Sequence, residues 1–298
     1  MGTDNVPASD RPRLADLLDA DPARTDALYT LRQCRHGPML FNRRDRYIGR
    51  SLAAYGEYSE YEISVLSQLL RRGAVVVEAG ANIGTHAVPI ARLIEPVGHL
   101  HAFEPQRLSF QILCANLALN GIVNVSAHWA ALGRTAGRAR VPQLDPETEQ
   151  NFGSVAIEGG ADASSVPVTT IDALELSRLD LIKADVEGME AAVLEGGRET
   201  IRRLQPALYL ENDRQDRSPG LIRTLESLGY RAWWHKVPMF RPDNFAGNAE
   251  NVFRSVISLN LLALPAGRAA RIALTPVTGP EDWPIVMRSS TGQVPPAP

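Results

Sequence analysis

The sequence predicts an α/β fold built on one doubly wound, mostly parallel sheet of seven strands, with an α-helical lead-in ahead of it. Three observations carry this expectation. Runs rich in β-branched residues alternate with helical stretches from residue 74 to residue 234, as βαβ crossovers require. A glycine-rich turn, GANIG, follows the first of those runs, at the end of a strand where such sheets bind ligands. No stretch of sufficient amphipathic length separates residue 234 from residue 255, so the last strand is free to enter antiparallel to its neighbours.

The elements follow in order. Residues 13–33 and 59–72 carry apolar positions at helical spacing and read as the lead-in. Residues 74–77 form the first sheet strand, 85–94 a helix and 99–103 the second strand. A helix over 106–119 and a strand over 123–129 complete the first half. Residues 134–168, rich in Gly, Ser, Pro and acids, interrupt the alternation and read as an insertion or flap, with strand-like pieces at 139–141 and 166–169. Alternation resumes with a strand over 179–184, one or two helices over 189–204 and a strand over 207–210. A helix over 221–228 and strands over 230–234 and 255–263 finish the sheet. The expected organisation is a disordered segment 1–12, a helical lead-in 13–72, one core domain 73–265, and a C-terminal extension 266–298 disordered from about residue 289.

Composition narrows the function classes. A net charge of −3 gives no overall field to gather nucleic acid or an anionic membrane, and no apolar run reaches spanning length. The N-terminus is acidic and proline-containing without a signal-peptide core. Cys34 and Cys114 are too few and too distant for a disulfide framework or metal cluster, which favours a reducing, cytoplasmic setting. His86, His99, His101 and His128 lack metal-ligand spacing, so no metal site is expected.

The strongest local signal is the stretch from Val77 to His86, VEAGANIGTH. Glycines after a strand allow a tight turn and close ligand approach, and the next helix presents free N–H groups. The dinucleotide fingerprint G-x-G-x-x-G fails twice, because Asn82 and Thr85 stand where its second and third glycines belong. Glu104 ends the next strand, 20 residues after Gly84, where an acid beside the first turn accepts hydrogen bonds from ribose hydroxyls. Pro105, whose missing N–H suits a first helical turn, is expected to start the following helix. The third signal, LIKADVEGME, ends the fourth strand and directs Asp185 and Glu187 into the same crevice. Glu190 reads as a helix cap, and Glu187 shares that reading in part.

Two further stretches are weaker. Trp233-Trp234-His235-Lys236 reads as half core and half pocket edge, and Glu211-Asn212-Asp213 lies on the crevice rim with roles in acceptor contact or loop structure equally open.

Together these stretches resemble the FkbM family of methyltransferases. The resemblance covers residues 56–265 and includes GEYSEYE, VEAGANIGTHAVPIA, AFEPQ, the paired asparagines of NLALNGIVNV, NFGS, VTTIDAL, LIKADVEGMEAAVLEGG and PALYLEN. DVEG-x-E with its upstream IK is the most specific part. Glu78 and Ala184 are mild departures, from an aspartate and from a larger aliphatic residue. The resemblance implies a Rossmann-like class I fold, S-adenosyl-L-methionine as methyl donor, and O-methylation of a hydroxyl on a sugar or natural-product-like small molecule. It implies a cofactor set of Glu78, Gly80, Ala81, Asn82, Gly84, Glu104, Pro105 and Asp185, with Asp185 or Glu187 as base. A nucleotide-dependent oxidoreductase would share the first half of the sheet but leaves Asn82 and the DVEG stretch without a role. A non-catalytic cofactor-binding module would keep GANIG and need neither Asp185 nor Glu187.

Overall fold

The computed structural model describes residues 28–152, 164–268 and 273–284. It opens on an antiparallel hairpin, β1 (Tyr29–Cys34) and β2 (Gly37–Asn42), followed by helices α1 (Ile48–Tyr55) and α2 (Glu60–Leu69). The helical expectation for 59–72 holds, but that for 13–33 does not: its described part is strand, and the remainder lies outside the described residues. Tertiary pairing overrides local pattern here. Asn116, fully buried, exchanges hydrogen bonds with both backbone groups of Leu40 and donates to the Ile83 carbonyl. Asn120 donates to the Pro38 carbonyl. The paired asparagines thus dock the hairpin on the core.

The core continues with β3 (Val75–Ala79), α3 (Ala87–Ile94), β4 (His99–Phe103), α4 (Arg107–Leu119) and β5 (Val125–His128). Gln106 caps α4, its side chain accepting from the Leu108 and Ser109 N–H groups. Pro105 therefore precedes the cap and does not start the helix as expected. Its carbonyl instead accepts from the Trp129 indole.

The stretch that breaks the alternation forms a separate three-stranded sheet of β6 (Ala131–Leu132), β7 (Gly137–Val141) and β8 (Ser164–Thr169), in the order β6-β8-β7. Then come β9 (Leu181–Ala184), α5 (Glu190–Glu195), α6 (Arg198–Leu204), β10 (Ala207–Glu211), α7 (Ser218–Ser227), β11 (Tyr230–Pro238), β12 (Ile257–Pro265) and β13 (Thr275–Pro276).

The main sheet runs β13-β11-β12-β10-β9-β3-β4-β5. Strands β10, β9, β3, β4 and β5 are mutually parallel, and β12 slots antiparallel between β10 and β11. The expected seven strands are present, and β13 adds an eighth at the edge. The C-terminal extension is thus partly built into the core, with Trp283 edge-on against Trp234 at 5.7 Å. Residues 1–12 and the tail from 289, expected to be disordered, lie outside the described residues. One apolar layer joins the hairpin and α1–α4 to one sheet face, and a second joins α5–α7 to the other. No helix among the described residues is long and apolar enough to cross a membrane.

Candidate active site

Three parallel strands bring their carboxyl ends together. The loop after β3 is held by the Gly80 and Ala81 N–H groups, both donating to the Phe103 carbonyl at 3.0 Å. Gly80 adopts φ +79°, and a Cβ there would lie 1.9 Å from the Asp185 carbonyl oxygen. The β3 and β9 loops touch backbone to backbone at that point, and only glycine permits it. Asn82 is also left-handed, at φ 47°.

Glu104 ties this loop to the end of β4. One oxygen accepts from the Asn82 N–H at 2.8 Å and the other from the Gln106 N–H at 2.7 Å. Burial pushes its carboxyl up to about 7 despite those donors. A cleft open to solvent lies directly beside it. Gly80, Glu104, Pro105, Asp185 and Glu187 from the expected set line its wall, joined by Phe103 and the Ala130–Leu132 segment. Glu78, Ala81, Asn82 and Gly84 are not on that wall, though the Asn82 N–H holds Glu104. Val141 and Phe152 close one side, so the inserted sheet does reach the cavity. Of the NFGS stretch, Asn151 and Phe152 are described and the last two residues lie outside the described residues.

Asp185 leaves β9 with its side chain 39% exposed, the most open carboxylate of the crevice. Lys183 Nζ lies 3.8 Å from Asp185 Oδ2 and 3.8 Å from Glu78 Oε1. Glu78 is fully buried, and neither of its oxygens has a hydrogen-bond donor among the described residues. Burial raises its carboxyl above the ordinary range, against the pull of Lys183.

Glu187, in a left-handed conformation, is paired with Arg214. Burial, then the Asp185 charge, pushes it up to about 7. Glu190 caps its own turn as expected, accepting from the Val186 and Gly188 N–H groups at 3.0 and 3.1 Å. Sequence reasoning left Glu211 half-assigned. Ligand atoms of Asp185, Glu187 and Glu211 fall within 4.8 Å of one another, a spacing compatible with a cation. Two of the three already have cationic partners, Lys183 and Arg214. Burial followed by the Asp185, Asp213 and Glu187 charges raises the Glu211 carboxyl well above its ordinary value, so protonation answers its repulsion. Asn212 is a structural residue, donating to Ser218 Oγ.

Sequence reasoning missed a buried polar layer beneath α2. Glu62 accepts from Ser59 Oγ at 2.7 Å and lies 3.4 Å from His86 Nε2. Burial alone would raise Glu62, but His86, Lys183 and Ser59 pull it down to about 2. Tyr209 and His235 share a hydrogen bond of 2.7 Å in the same layer. His235 and the buried Trp234 are thus core residues, the half-core reading of that cluster. A lysine inside the apolar run LIKA was the signal that could have revealed the layer.

A doubly wound sheet with an antiparallel β12 beside β10 is the class I methyltransferase fold, and here an acid-anchored glycine loop faces a carboxylate at the end of the fourth parallel strand. The family described as Methyltransferase FkbM domain matches residues 78–232, just over half of the chain, and the chain belongs to that family. The family is one of S-adenosylmethionine-dependent methyltransferases. The methyltransferase sdnD of Sordaria araneosa is 31% identical over 154 residues, covering 41% of this chain. The chain spans 59% of that relative's length.

Among solved structures, the methyltransferase FkbM of Methylobacillus flagellatus KT is 18% identical, with a TM-score of 0.41 over 66% of this chain and 45% of that one. The O-methyltransferase TomG of Streptomyces achromogenes is 16% identical, with a TM-score of 0.42 over 70% and 80%. The oxidoreductase alternative falls with the family match. The residues fit the cofactor: Gly80, Glu104 and Asp185 converge on one cavity, with the Glu104 carboxyl anchored at its wall by two backbone N–H groups.

Proposed function

We propose that this methyltransferase acts on oxygen, methylating a hydroxyl of a sugar or natural-product-like small molecule, with Asp185 as the base. The observation that carries the reading is the open Asp185 carboxylate at the junction of the β3 and β9 loops, on the wall of the cofactor cavity. Bound S-adenosylmethionine supplies a methyl carbon already activated by its sulfonium, so the chain need not create an electrophile. Its residues orient the acceptor, exclude water and take a proton.

Glu104 would hold the ribose, while Gly80 and the loop behind it would hold the amino-acid end. Asp185 would reach both that end and the acceptor oxygen. Glu187, committed to Arg214, orients the wall beside it. An alcohol is far less acidic than a carboxylic acid, so Asp185 removes its proton in concert with attack.

Incubation with isotopically labelled S-adenosylmethionine and a panel of sugar and polyketide-like alcohols, amines and activated carbons tests the reading. Product characterised by nuclear magnetic resonance should carry an oxygen-bound methyl group. Methylation confined to nitrogen or carbon would refute it.

A further inference from the structure

We infer that Lys183 is a positioning residue, whose buried ammonium group spans the Glu78 and Asp185 carboxylates and holds Asp185 in place against the cofactor. The inference rests on the reading that Asp185 touches the cofactor, and goes beyond it by assigning what aims that carboxylate.

The strand dictates the placement. In β9 the run Leu181-Ile182-Lys183-Ala184 is buried along its whole length, and the lysine is 2% exposed. Parallel register sets Lys183 beside Glu78 on β3 and beside Tyr209 on β10. Cross-strand neighbours share a face, so Lys183 extends along the sheet toward its carboxyl edge, where Asp185 begins the loop. The two Nζ–oxygen separations are equal, 3.8 Å to Glu78 and 3.8 Å to Asp185.

A buried charge without a partner is strongly unfavourable, so the group is accounted for only by the carboxylates around it. Burial works against the ammonium, but Asp185, Glu78, Glu62 and Glu211 outweigh it and raise its pKa. Glu78 in turn receives no hydrogen bond on either oxygen from the described residues. A salt bridge meant only to satisfy Glu78 would leave Lys183 no reason to reach Asp185 equally closely. The geometry therefore fits a relay, in which the invisible acid Glu78 anchors the lysine and the lysine orients the exposed acid. Asp185's backbone is fixed separately, its N–H donating to the Ala79 carbonyl at 3.0 Å, so the lysine acts on the side chain.

The test uses S-adenosylhomocysteine as probe, titrated by calorimetry, with thermal melting on the same preparations. Lys183→Met alone strands Glu78 and risks unfolding, so the informative comparison is Glu78→Gln against Glu78→Gln combined with Lys183→Met, where no unpaired charge remains at Glu78. The combined variant should melt within roughly 5 °C of Glu78→Gln. It should bind the probe at least about tenfold more weakly. Adding Asp185→Asn should weaken it no further, since the lysine acts through that carboxylate.

Equal binding by Glu78→Gln and the combined variant would overturn the inference, as would loss of a cooperative melt in the combined variant, which marks a purely structural lysine. Asp185→Asn alone separates the two readings. If it binds the probe like the wild type, the contact between Asp185 and the cofactor is wrong and the relay falls with it. If it weakens binding while the lysine change does not, only the relay falls.

Discussion

Asp185 and Glu104 are both acids at strand ends, yet their surroundings give them different work. Asp185 is the open carboxylate and has a cation on one side only. Asp185→Asn keeps its shape and should lower the single-turnover methylation rate by roughly 10²–10⁴, the range of a lost general base. The cofactor-free protein should still melt cooperatively, because buried Lys183 keeps Glu78 as a partner when the Asp185 charge is lost. A variant that methylates normally, or one that unfolds, would reduce Asp185 to a structural acid.

Glu104 spends a lone pair of each oxygen on backbone N–H groups and offers the rest to the cavity. Glu104→Ala should weaken S-adenosylhomocysteine by about 1–3 kcal/mol, measured by calorimetry, through lost hydrogen bonds to the ribose. The carboxylates of Asp185, Glu187 and Glu211 invite a cation, but Lys183 and Arg214 already supply positive charge there. Treatment with EDTA is therefore expected to leave turnover intact. Activity lost to the chelator and restored by magnesium would assign those three carboxylates to a metal instead.

At the scale of elements, the β3–α3 turn works because two loops meet without side chains between them. Gly80→Ala would set a Cβ 1.9 Å from the Asp185 carbonyl, a contact with rigid backbone, and would also force a left-handed alanine. At Gly84 the nearest atom is the end of the Leu113 side chain, 2.9 Å away, which is able to move. Gly121, also left-handed, has nothing within 4 Å. Melting temperatures should therefore fall in the order Gly80→Ala, Gly84→Ala, Gly121→Ala, with the last costing about 1 kcal/mol from backbone conformation alone. Only Gly80→Ala should also abolish probe binding, since it displaces the loop that carries Asp185. A Gly80→Ala variant that melts and binds like the wild type would show that the two loops are not in contact.

Across the whole molecule, the crevice concentrates acids whose titration burial raises toward neutrality. Burial raises Glu104, Glu187 and Glu190 to about 7, from an ordinary 4.5. Over that interval the native chain holds protons that the unfolded chain has released. The stability they contribute is complete below pH 4.5 and is lost as pH rises through 7. His101 runs the other way: burial, then His99 and His128, lowers it from 6.5 to about 4, so its contribution grows with pH and is complete above 6.5. Above that point the carboxyls act alone. The cofactor-free protein should therefore melt lower at about pH 8 than at about pH 6.5, by scanning fluorimetry. A melting temperature that rises across this interval would mean that the crevice acids are ionised in the native state.

Periodicity and turn chemistry are local, so the sequence by itself determined the order of strands and helices, the antiparallel entry of β12, the glycine loop and the two acids after β9. Glycine at the turn and aspartate at the strand end follow from backbone geometry that a few neighbouring residues impose. What only the tertiary structure decided are contacts between distant segments. The β1–β2 hairpin reads as helix until Asn116, 76 positions beyond Leu40, captures its backbone. Lys183 reads as an oddity in a buried strand until parallel register places Glu78 beside it. Val141 has no visible role until the inserted sheet folds back on the cavity. In each case the partner is chosen by the path of the chain, and the energy that makes the choice, burial of a charge or of a backbone polar group, exists only once both partners have left water.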